Sequence, residues 1–122
     1  MKKIMKKYDT KIIDATGMTL GRVASAVAMS LMGKTKVTFE RNVYSGVPVK
    51  VVNVSKIKIN AKKLEGIVHK RYSGHRGGLR ILKGTETVEK KGMGELLKLA
   101  VFQMLPDNKI RREMMKNLVI EN

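Results

Sequence analysis

The sequence contains no cysteine, which excludes disulfides and thiolate metal sites. No stretch approaches 18 uninterrupted apolar residues, so no transmembrane helix is expected. The opening stretch MKKIMKKYDTK is basic. It lacks the apolar centre of a secretory signal and the Arg and Ser richness of an organelle transit peptide. These absences favour a reducing, cytosolic site. Acidic residues are scarce: 10 Asp and Glu stand against 26 Lys and Arg, a formal net charge of +16. The acids, such as Asp9, Asp14, Glu40 and Glu65, do not cluster along the chain.

Catalytic and cofactor motifs are missing too. Gly33-Lys34-Thr35 looks like the tail of a phosphate-binding P-loop, but Ala28 stands where the first glycine of that motif belongs. The motif also opens a helix, whereas this one closes one. Gly92-x-Gly94 lacks the third glycine of a dinucleotide fingerprint, because Leu97 occupies that place. His69 and His75 have no carboxylate or thiol at ligand spacing. Asn53-Val54-Ser55 matches a glycosylation sequon, which is discarded for want of a secretion signal. The nine methionines fall mostly at core positions and form no cofactor box. The expectation is a protein that is not an enzyme, with no cofactor, no metal, no membrane and no small-molecule substrate.

What remains is a cationic globular domain. Hydrophobic residues make up 43% of the 122, enough for one core. The chain divides into a basic N-terminal arm, residues 1–9, and a single domain, residues 10–122. Thr10 to Asp14 reads as a first strand. Leu20, Val23, Ala24, Val27 and Leu31 then repeat with helical period, between Thr19 as N-cap and Gly33 as stop. Val49 to Val54 is β-branched and reads as a strand buried on both faces. Strand, helix and strand form a βαβ unit with parallel strands and a right-handed crossover. Ser55 to Leu64 suggests a short strand or turn, and Ile67 to Tyr72 another strand. Ile81 to Gly94 is expected to be a loop with at most a short helical turn. Gly94 to Leu105 is a helix stopped by Pro106. A last helix follows, capped by Asp107 or Asn108, with Ile110, Met114 and Leu118 facing inward.

The loudest local signal is His69 to Arg80, HKRYSGHRGGLR. Glycines 74, 77 and 78 let successive backbone N–H groups face an anion. Arg71, Arg76 and Arg80 can fork onto phosphate oxygens, while Tyr72 and His75 can stack on an unpaired base. Combined with the net charge, this points to RNA, held mainly through phosphates.

Five segments resemble the thirteenth large-subunit ribosomal protein family in its bacterial form. They are Ile13-Asp14-Ala15 through Leu20-Gly21-Arg22-Val23-Ala24, Gly33-Lys34 with its loop, Val51-Val52-Asn53 through Lys56-Ile57, Tyr72-Ser73-Gly74 through Gly77-Gly78-Leu79, and Ala100-Val101 through Met104-Leu105-Pro106 and Asn108. The resemblance implies a three-layer α/β/α fold around a mostly parallel sheet of about four strands. It implies a cytoplasmic structural constituent of the large ribosomal subunit. Such a protein binds large-subunit rRNA, joins early in assembly, supports translation and touches neighbouring ribosomal proteins. By position, the RNA-binding residues are Arg22, Lys34, Lys36, Arg41, Lys70, Arg71, Tyr72, Ser73, Gly74, His75, Arg76, Gly77, Gly78, Arg80, Lys109, Arg111, Arg112 and Lys116. His75-Arg76 stands where the family has a Tyr-Pro pair, trading a stiff turn for charge. The alternative function is an RNA-binding translational regulator off the ribosome, with an mRNA as its partner.

Overall fold

The computed structural model describes residues 10–37, 39–44 and 46–122. The expected basic arm lies outside the described residues.

The first strand, β1 (Lys11–Asp14), leads through a turn into helix α1 (Leu20–Met32). Every residue of the anticipated apolar stripe is buried: Leu20, Val23, Ala24, Val27 and Leu31. Thr19 occupies the N-cap, yet its hydroxyl makes no capping bond. Gly33 closes the helix in the left-handed conformation at φ 80°, where a Cβ would be strained. Its N–H reaches back to the carbonyls of Met29 and Ser30. Strand β2 (Val49–Val52) then pairs in parallel with β1, matching Ile13 to Val51. The βαβ unit is therefore present.

The parallel sheet has three strands among the described residues, in the order β1-β2-β5. Its third member, β5 (Leu118–Ile120), comes from the end of the chain. Leu118 thus belongs to a strand and not to the last helix, which is α5 (Arg111–Lys116). Ile110, rather than Asp107 or Asn108, stands at its N-cap. The β2 side chains alternate. Val49 and Val51 are fully buried, whereas Lys50 is half-buried and forms a salt bridge to Glu121 at 2.8 Å. Ile12 and Val119, the register partners of Lys50, are 65% and 50% exposed. The β-branched run therefore has one core face and one outward face, not two buried ones.

Asn53, just past β2, adopts φ 58°, a conformation unusual for a residue with a side chain. Its amide donates to Asp14 Oδ1 at 3.2 Å. The same oxygen accepts the hydroxyl and N–H of Thr16 at 2.7 and 2.9 Å. These bonds, the Thr16 hydroxyl foremost, hold the Asp14 carboxyl below its usual range. They tie the ends of β1 and β2 together.

Of the short strand or turn anticipated over Ser55 to Leu64, the turn is present as a 3₁₀ turn (Val54–Lys56), and helix α2 (Ala61–Gly66) follows it. Only Lys58 keeps a bridge, to Thr19. Strands β3 (Val68–Tyr72) and β4 (Leu79–Lys83) form a separate antiparallel hairpin. Helix α3 (Gly84–Lys91) follows at once, so Ile81 to Gly94 is largely ordered structure instead of a loop. Gly84, in the stretch expected to be a loop, is required by close packing. A Cβ there would lie 2.9 Å from the Leu64 carbonyl oxygen and 3.0 Å from Ile67 Cβ.

Helix α4 (Met93–Met104) ends at Leu105 before Pro106, as the pattern predicts. It packs along α1 and buries Leu96, Leu97 and Val101 completely. Val101→Asp would place a carboxylate in this apolar seam. The variant is expected to lose more than about 4 kcal/mol and its cooperative thermal melt. Circular dichroism checks this, and a wild-type melt would contradict the packing described.

Candidate nucleic-acid interface

The cationic hairpin is anchored from one side. On strands, alternate side chains face opposite ways. His69 and its partner Leu82 turn inward, and the hairpin rests against α3. His69 is 7% exposed, and neither ring nitrogen has a hydrogen-bond partner among the described residues. It is thus an anchor and lies apart from the exposed cations of its stretch. Burial disfavours its charged form and pushes its pKa down.

Arg71 and Arg80 stand directly opposite each other in the register. Like charges so placed cost roughly 0.2–1 kcal/mol without a counter-anion. Arg71 also borders a shallow hollow with Glu86 and Glu95, which places carboxylates on its side of the hairpin. The other face carries Lys70 and Lys83 between four exposed apolar groups, Val68, Tyr72, Leu79 and Ile81. Sequence reasoning singled out Tyr72 and missed its aliphatic companions. Their period-two spacing was the available signal.

The connecting loop runs from Ser73 to Gly78. Gly74 and Gly77 take φ 84° and 73°, where side chains are strained. The N–H of Gly78 donates to the His75 carbonyl at 3.0 Å and closes the turn. A Cβ at Gly78 would strike the Ser73 hydroxyl. The glycines are therefore structural requirements of a tight turn that presents His75 and Arg76 to solvent.

A second basic group gathers at the C-terminal end of α1. Lys34 and Arg41 border a cavity of about 310 Å³ together with Glu40 and Asn108. Phe39, Ile110 and Met114 supply apolar lining. The α1–β2 loop and the Pro106–Ile110 turn thus meet, and Lys109 lies within that turn. The sequence reading found the cations here and missed Phe39, Glu40 and Asn108. Nothing in their local spacing marks them, because chain folding alone unites them.

The remaining candidates are dispersed. Arg22 is exposed in the first turn of α1, Lys36 is half-buried in the loop after it, and Arg112 and Lys116 are exposed on α5. Arg111 differs from its exposed neighbours Arg112 and Lys116 on α5. Its guanidinium pairs with Asp107 at 3.0 Å and sits 3.9 Å from the Phe102 ring centroid. It is committed within the chain as a staple between α4 and α5. Among the described residues no cluster of His, Asp or Glu could hold a metal ion.

Comparison with known families matches residues 9–120 to the model described as Ribosomal protein L13. The chain belongs to that family. The L13 family is a structural component and not an enzyme. Three similar proteins are each named "Large ribosomal subunit protein uL13". One, from Syntrophotalea carbinolica, is 39% identical over 96% of this chain and 84% of its own length. Another, from Petrotoga mobilis, is 40% identical over 94% and 78%. A third, from Pelobacter propionicus, is 42% identical over 93% and 80%. The L13 match spans both basic groups and every helix described above.

The buried histidine makes stability depend on pH. Above its unfolded-state value of 6.5, His69 is neutral in both states and its full contribution is present. As pH falls through that value, the unfolded chain takes up the proton first, and stability declines until the lower folded-state value is passed. His69→Leu removes this linkage and an unpartnered polar ring. Its melting temperature should exceed that of the wild type at about pH 5.5 and vary less between about pH 7 and 5. Parallel slopes for the two proteins would contradict the assignment.

Proposed function

We propose that this chain is an rRNA-binding structural constituent of the large ribosomal subunit, acting in the cytoplasm during subunit assembly and in translation. Its partners are large-subunit rRNA and the neighbouring ribosomal proteins. The observation that carries the reading is the opposed Arg71–Arg80 pair beside a glycine turn. That arrangement costs stability in the free protein and is relieved by a phosphate. The whole-chain balance supports it, since 10 acids can offset no more than 10 of 26 cations. The relatives' names point to the large ribosomal subunit, and we take its rRNA as the RNA bound.

Within this reading the hairpin docks first through charge and then through its loop. Lys70, Arg76 and Arg80 are exposed on or beside the turn and meet phosphates. Ser73, Gly74, Gly77 and Gly78 allow close backbone approach, while Tyr72 and His75 stack where a base is unpaired. Arg22, Lys36, Lys109, Arg112 and Lys116 extend the contact beyond the hairpin. Arg111 contributes through its place between helices more than through free charge. The basic arm, residues 1–9, adds further cations.

Sucrose-gradient sedimentation of native lysate tests the assignment. The protein should travel with large subunits in moderate salt. Tight binding to an mRNA element, without such co-sedimentation, would overturn it in favour of a translational regulator. A finer test removes two exposed cations. Arg76→Ala with Arg80→Ala should weaken binding to a large-subunit rRNA transcript and lower the salt slope by about 1–2. The free double variant should melt at or slightly above the wild type in low salt, because a like-charge pair is relieved. Unchanged affinity and slope would remove the hairpin from the interface.

A further inference from the structure

The cavity at the end of α1 brings a phenylalanine ring, a carboxylate and two cations around one recess. A surface that only neutralised phosphates would need neither an apolar recess nor a carboxylate. This one has both. Phe39 is half-buried in its wall and Met114, almost fully buried, lies at its floor. Glu40 is exposed at its border, between cations that a phosphate contact alone would favour keeping free of acids. The volume, about 310 Å³, lies at the small end of ligand-sized sites.

We propose that this cavity receives one unstacked nucleobase of the bound RNA, guanine foremost. The inference rests on the RNA-binding reading above and deepens it. Phe39 offers a ring face for stacking, the usual device by which a splayed-out base is held. Lys34 and Arg41 are exposed at the rim and attract the phosphates flanking that base. The Glu40 carboxylate only accepts hydrogen bonds, so it selects a base edge rich in donors. Guanine presents N1–H and N2–H₂ side by side and can satisfy both carboxylate oxygens. Uracil presents a single N–H on the corresponding edge. Asn108 adds an amide that donates and accepts, suited to the remaining edge atoms.

Methionine methyl resonances give a direct readout, because Met32 and Met114 both line the cavity. In the full-length protein, guanosine monophosphate should shift these two methyl signals, and ribose 5-phosphate should not. Uridine monophosphate should shift them less at equal concentration. Glu40→Gln, a change at an exposed position, should keep the fold and lose the preference for guanine. Phe39→Ala should bind the large-subunit rRNA transcript about 5- to 150-fold more weakly, the range for one lost base stack, with the salt slope unchanged. Equal shifts from ribose 5-phosphate would overturn the inference, as would wild-type affinity in Phe39→Ala, and the hairpin reading would stand. Failure of the wild type to bind the transcript would overturn both.

Discussion

Helix α1 is the constraint on which the rest of the molecule depends. Its apolar stripe is buried between strands β1 and β2 on one side and helix α4 on the other. Val23, Ala24, Val27 and Leu31 are wholly out of water. Ala24 and Ala28 are small, which lets the neighbouring elements approach closely. Removing one such side chain from a packed seam costs about 2–5 kcal/mol, a large share of the total stability of a domain this size. Every basic group hangs from this seam. The cavity loop starts at the helix end, the Pro106–Ile110 turn follows α4, and the hairpin feeds directly into α3, which packs on α4.

The seam was legible in the sequence because periodicity reports burial. Both long helices carry a repeat that matches their element, whereas β1 and β2 are marked by apolar and β-branched residues, which left the one-sided burial of β2 unread. The later elements carry weaker marks. Strand β5 is three residues long and continues the apolar spacing of α5, so Leu118 fitted a helix as well as a strand. Gly84 fell in a stretch expected to be a loop, because a close approach to Leu64 and Ile67 is a property of the fold and not of local spacing. His69 resembled its cationic neighbours for the same reason. Period two along β3 put it on the inner face, and only the presence of α3 made that face an interior. Electrostatic character, by contrast, needs no fold to be read. A surplus of 16 cations must appear on the surface wherever the core lies.

The two basic groups are built differently. An isolated two-stranded hairpin is marginal in water. This one holds because His69 and Leu82 seat its inner face and Gly84 lets α3 close under it. The cost of opposing Arg71 and Arg80 is at most about 1 kcal/mol, less than the anchoring contributes. The hairpin can therefore display cations and apolar groups together, at a density that no free-standing ribbon would tolerate. The cavity group is instead built across a helix end and a turn remote in sequence.

Both groups make stability and binding a single quantity. A protein carrying this charge repels itself in isolation, and any polyanion that binds only the folded form adds stability that grows with the logarithm of its concentration over its dissociation constant. At a hundredfold excess that amounts to about 2.7 kcal/mol. This exceeds the cost of the Arg71–Arg80 opposition. The free chain therefore need not minimise its own repulsion; it needs a core strong enough to hold its surface charge without a polyanion. The concentration of buried aliphatics along α1 and α4 is the physical form of that requirement, and the exposed cations are the form of its relief.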